Sequence, residues 1–164
     1  MLNKTIRFLY YSLFLVTPLF VLSSTSELFE FNKMMFIYLI AIAVSFVWLV
    51  QMFKEKRFFE RRTLLDIPIL IFLASQIMST LFSIDRHTSL FGYYGRFNGG
   101  LVSTLAYIVL FYGFVTLFDK EWREKLLKWS LISSLLVILW GLPGRFGYDL
   151  SCYLYSGQLN NNCW

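Results

Sequence analysis

Charge is what this chain lacks most. Only 15% of its 164 residues are Asp, Glu, Lys or Arg, where a soluble domain carries about 25%, so an ordinary water-soluble globule is disfavoured. Proline occurs three times, glycine nine times and histidine once. That composition excludes a disordered chain, a collagen repeat and a coiled coil. With one His and no paired carboxylates, the sequence carries no visible metal site or acid–base pair, and no cofactor is expected. Hydrophobic residues make up 57% and aromatics 20%, and the net charge is +5. A basic excess on one face would point to nucleic acid, so the positions of the Lys and Arg residues decide its meaning.

They fall between long charge-free runs. Cutting at every charged residue leaves 8–26, 34–53, 67–84, 97–118 and 129–144, together more than half of the chain. A helix needs about 20 residues to cross a hydrocarbon core of about 30 Å. The runs therefore predict an all-α integral membrane fold of about five transmembrane helices, at 8–26, 34–53, 66–84, 99–118 and 129–144. The competing reading of any single run is the buried helix of a soluble core. It weighs most on 129–144, which ends in Gly141, Pro143 and Gly144. The first run, preceded by Lys4 and Arg7, also has the layout of a signal peptide. Its large aromatics (Phe8, Tyr10, Tyr11, Phe14, Phe20) and the lack of a small-residue cleavage site favour a retained helix, kinked or ended at Pro18.

Basic residues sort by alternate segments. The N-terminal stub, the loop 54–65 and the loop 119–128 hold eleven, whereas the first loop, the loop 84–100 and the tail 145–164 hold four. The positive-inside rule then predicts a cytoplasmic N-terminus, with 54–65 and 119–128 cytoplasmic and 84–100 and 145–164 outward. This sorting accounts for the charge without nucleic acid. Within 119–128, Trp122, Leu126 and Trp129 recur at helical spacing among Lys120, Arg123 and Lys128, as in a short amphipathic helix on an anionic leaflet. Asp119 is placed to cap it.

Polar residues inside the runs are few. Ser75, Gln76, Ser79 and Thr80 cluster in the third, where the last three share a face and suit hydrogen bonds to a neighbouring helix. No charged residue lies deep in any run, which lowers the prospect of an ion-coupled relay.

The densest chemistry is in 84–100, IDRHTSLFGYYGRFNGG. Gly92, Gly95, Gly99 and Gly100 surround Arg96 among Phe91, Tyr93, Tyr94, Phe97 and Asn98. Glycine lets backbone amides approach an anion, and Arg offers a planar fork for phosphate oxygens. Tyr94 and Asn98 suit a sugar or headgroup, and the helix expected to begin after Gly100 presents its positive dipole end. The plain alternative is a glycine turn with interfacial aromatics and an Arg96 that snorkels. His87 reads as an interfacial surface residue.

Four stretches carry a family resemblance: LFEFNKMMFIYLI (28–40), LDIP (65–68), SQIMSTLFSIDRHTSLFGYYGRFNGG (75–100), and FGYD (146–149) with the closing Cys163-Trp164. Together they resemble the N-terminal membrane region of bacterial O-antigen ligase and polymerase-like proteins. The resemblance implies a multi-pass glycosyltransferase of the bacterial inner membrane. Such enzymes act in cell-envelope polysaccharide biosynthesis, moving a glycan from undecaprenyl pyrophosphate to an acceptor on the outer side, without a metal. It also implies a pyrophosphate site at Arg96, in the R-x-x-G stretch Arg96-Phe97-Asn98-Gly99, with Gly95, Asn98, Gly99 and Tyr94 around it. The family's catalytic histidine lies in a later outward loop that has no counterpart here, and His87 does not match it.

The chain is therefore expected to be an N-terminal fragment of a larger helical bundle, incomplete and inactive alone, whose partners are the lipid-linked glycan, membrane lipids and the remainder of the polypeptide. A transporter or flippase fragment and a non-catalytic five-helix scaffold are the competing expectations. Cys152 and Cys163 fall in the outward tail, where a disulfide is permitted; free thiols are the alternative.

Overall fold

The computed structural model describes residues 2–20, 30–56 and 62–146. The end of the first expected span (21–26), the basic residues at 57 and 61, and the tail 147–164 with both cysteines lie outside the described residues. Among the described residues every element is helical: α1 (Leu2–Leu19), α2 (Glu30–Glu55), α3 (Asp66–Leu81), α4 (Arg86–Phe91), α5 (Leu101–Leu117) and α6 (Lys120–Gly141), followed by a 3-10 turn over Leu142–Phe146.

Each apolar run lies largely within a helix, but the helix ends depart from the charge boundaries. Charge marks where side chains leave an apolar environment, and the backbone obeys breakers and caps instead. α1 starts well before residue 8 and stops one residue past Pro18, which cannot supply an amide to the helix ladder. α2 extends beyond 34–53 at both ends, with Glu30 in its first turn and Lys54 in its last, each complementing the helix dipole. Its 26 residues reach about 39 Å. α5 starts two residues later than expected because Gly99 has φ of 85°.

The largest departure is at 119–128. This segment is not a separate amphipathic helix but the opening turns of α6, which runs unbroken from Lys120 because Gly141 is its first glycine and no proline precedes it. Leu126 and Ser133, two turns apart, are buried in it, and the Ser133 hydroxyl donates to the Leu15 carbonyl of α1 at 3.1 Å.

α1 packs against α2 and α6, α2 against α5, and α3 against α4 and α5. Side-chain contacts orient the helices. Arg7 near the start of α1 lies over Trp122 near the start of α6, so these two run parallel. Lys33 of α2 donates to the Pro18 carbonyl at the end of α1 at 3.0 Å, so α1 and α2 are antiparallel. Tyr112 toward the end of α5 donates to Asp66 at the start of α3 at 2.9 Å, again antiparallel. The core is a small cluster centred on Ile6, Tyr10, Ile40, Val44, Leu110 and Leu126. In α5, small Ser103, Ala106 and Gly113 sit on the buried face, where they allow close helix approach.

Most apolar surface lies outside that core. Thr80 is the one buried residue described in α3, while Ile67, Leu70, Ile71 and Phe72 stand exposed. Two stretches, Glu30–Glu55 and Lys120–Phe146, are long and apolar enough to cross a membrane. Only 17% and 11% of their apolar windows are buried, whereas the core helix of a soluble protein would be mostly buried.

Candidate functional site

The segment 84–100 folds into a compact turn between α3 and α5. Asp85 caps α4, its carboxylate accepting from the amides of His87 at 3.1 Å and Thr88 at 3.2 Å. These bonds, the Thr88 hydroxyl foremost, hold the Asp85 carboxyl below the usual carboxylate range. Gly92 ends α4 with φ of 87°. The chain then closes on itself, with the Tyr93 amide donating to the Asn98 carbonyl at 3.2 Å and the Arg96 and Phe97 amides to the Tyr93 carbonyl at 3.1 and 3.0 Å.

Two glycines are there for space. A Cβ on Gly92 would fall on the Asn98 backbone, and one on Gly100 on the backbone of Gly92 and Leu90. They let the backbone segments 90–92 and 98–100 cross in contact.

Arg96, Asn98 and Gly99 share this turn but face different partners. Arg96 Nη1 lies 3.5 Å from Glu30 Oε2 of α2, both side chains about half exposed at 51% and 48%. Asn98 Oδ1 accepts from the Gly99 amide at 2.8 Å and lies 3.3 Å from the Tyr107 hydroxyl. The Gly99 amide also reaches Ser103 Oγ at 3.1 Å, so it is committed inside the turn. Gly95 adopts φ of 82°. Tyr94 is exposed and stacks on His87 with ring centroids 4.8 Å apart and planes 7° from parallel, so His87 is part of an aromatic stack.

Three further residues from α2 and α5 take part in the turn. Glu30 pairs with Arg96. Tyr38 of α2 donates to the Phe97 carbonyl at 2.6 Å, and Tyr107 of α5 lies 3.2 Å from the Met34 sulfur. The signal available was a tyrosine inside each of two apolar runs, near the end that faces 84–100.

Below the turn an apolar groove of about 680 Å³ runs between α2 and α5. Ile42, Phe46, Leu105 and Val109 line its walls, and Phe91 and Phe97 close the end nearest Arg96. Ser45, its polar lining residue beside Tyr38, donates its hydroxyl to the Ala41 carbonyl at 2.8 Å. The site thus joins a long apolar slot to a turn bearing one guanidinium. Among the described residues, no three His, Cys, Asp or Glu side chains gather around one metal position. No family model, curated protein or solved structure matches the chain.

Proposed function

We propose that the chain is the membrane segment of an O-antigen ligase-like glycosyltransferase in the bacterial inner membrane. In this reading α1, α2, α3, α5 and α6 span the bilayer, and the turn 84–100 faces outward. The α2/α5 groove holds the isoprenoid chain of undecaprenyl pyrophosphate, and Arg96 takes the pyrophosphate, with Tyr94 beside the first sugar.

One observation carries the reading: the apolar groove ends beneath the turn that bears Arg96. A polyprenyl pyrophosphate has that same division, a long apolar chain on a compact anion. The five-span topology is supported by the helix directions, because the starts of α1 and α6 meet at one end and the end of α1 meets the start of α2 at the other. It is supported further by the exposed apolar faces of α3 and α6, which water would not tolerate over such an area.

The commitment of Gly99 and Asn98 within the turn, and of Arg96 to Glu30, favours a second reading: a non-catalytic membrane scaffold whose loop is held for its own stability. Substitution Arg96→Ala separates the two. Loss of a charge-assisted contact weakens binding by about tenfold or more, so binding of labelled undecaprenyl pyrophosphate to the reconstituted protein should fall by at least that factor. Glycan transfer in the producing cell should fall with it while membrane insertion is retained. Unchanged binding and transfer would remove Arg96 from the proposed site and leave the scaffold.

A further inference from the structure

The opposite end of the molecule has its own cluster, at the α1/α6 seam. The Arg7 guanidinium carbon lies 3.9 Å from the centroid of the Trp122 ring, and Lys125 Nζ lies 4.9 Å from the same centroid. Tyr11, one turn after Arg7, sets its ring at 82° to both Trp122 and Trp129, with centroids 6.3 and 6.4 Å away. Lys125 is paired with Glu121 at 2.7 Å. Arg7 has no carboxylate partner among the described residues. A ring over one face of a guanidinium leaves the N–H groups along its edge available, and such a fork receives two phosphate oxygens.

We infer that Arg7, Trp122 and Lys125 form a binding site for the headgroup of an anionic glycerophospholipid of the inner leaflet. The inference goes beyond the glycan-transfer reading and rests only on its membrane part. The Arg7 fork takes the phosphodiester and, with Lys125 compensated by Glu121, supplies the positive charge that attracts an anionic headgroup and repels the ammonium of a zwitterionic one. Trp122, Trp129 and Tyr11 supply the amphipathic rings that settle at headgroup depth. Neighbouring turns expose Phe8, Leu127 and Leu131, apolar surface for acyl chains and of no use to a soluble phosphate or a nucleic acid.

The test uses the full chain in phosphatidylcholine vesicles doped with brominated phosphatidylglycerol or, in a parallel sample, brominated phosphatidylcholine. The Trp122→Phe protein serves to isolate the Trp122 emission. Phosphatidylglycerol should quench that emission about fivefold more efficiently, and Arg7→Gln should abolish the preference, the factor expected for one basic residue at an anionic surface. Arg7→Lys, which keeps the charge but not the planar fork, should retain part of it. Lys4→Gln and Lys128→Gln should each change it less than about twofold. Equal loss in all the neutral variants would mean diffuse surface charge and overturn the site. So would equal quenching by the two lipids, or erasure of the preference by inorganic phosphate. Absence of quenching by either lipid would refute the membrane reading itself, and the site with it.

Discussion

Tyr10 and Gly113 occupy each other's space at the centre of the bundle. The Tyr10 hydroxyl donates to the Leu110 carbonyl at 2.8 Å and stands where a Cβ on residue 113 would be. Val44 Cγ1 would lie 3.0 Å from the same Cβ. Substituting Gly113→Ala should therefore lower unfolding stability by about 1–3 kcal/mol, the usual cost of overpacking. Tyr10→Phe alone should cost about 1 kcal/mol, because it removes one buried hydrogen bond. The two effects should be less than additive in the double variant, since removing the hydroxyl opens room for the methyl. Denaturation in detergent measures all three, and strict additivity would show that the pair is uncoupled.

The cap of α4 gives a pH dependence. Asp85 is held below the usual carboxylate range by the Thr88 hydroxyl and the Thr88 and His87 amides. A depressed folded-state value means that the cap contributes fully above the ordinary Asp value of about 3.9 and is lost as pH falls through the lower folded value. Fluorescence of a thiol probe on Tyr94→Cys, in a protein that also carries Cys152→Ser and Cys163→Ser, should report opening of the turn on acidification. In Asp85→Ala the turn should already be loosened at neutral pH and show little further acid response.

Tyr112 ties α3 to α5 through Asp66. Because α3 buries so little elsewhere, Tyr112→Phe should weaken its docking by about 1 kcal/mol. Amide exchange over residues 65–70 should quicken several-fold, with little change in exchange at the α1/α2 contact. Equal protection in both proteins would mean that lipid or other contacts hold α3.

Topology is open to direct measurement. Reporter fusions after Phe97 and after Lys125 should report opposite sides of the membrane, with Lys125 cytoplasmic. Both on one side would refute five spans with the assigned orientation.

Parts of this arrangement were legible in advance for a simple reason. Long charge-free runs of apolar residues carry few helix breakers, so the positions of α1, α2, α3, α5 and the apolar part of α6 followed from composition along the chain. The continuity of α6 through 119–128 is not legible in polarity alone, because a change in polarity there does not coincide with any helix breaker. Arg96 stood out because a guanidinium among glycines is rare in so apolar a chain. Glu30 did not, since nothing near residue 30 signals a partner so distant in sequence.

Side-chain type and local propensity along the chain are enough to say which stretches are helical and apolar and on which alternate segments the basic residues fall. What the polar groups do depends on packing. Packing joins Arg96 to Glu30, closes Gly99 and Asn98 into their own turn, places an apolar groove beneath them and sets Arg7 over the Trp122 ring. Each is a contact between segments far apart in the chain, and its geometry exists only once helices have packed at particular angles and depths.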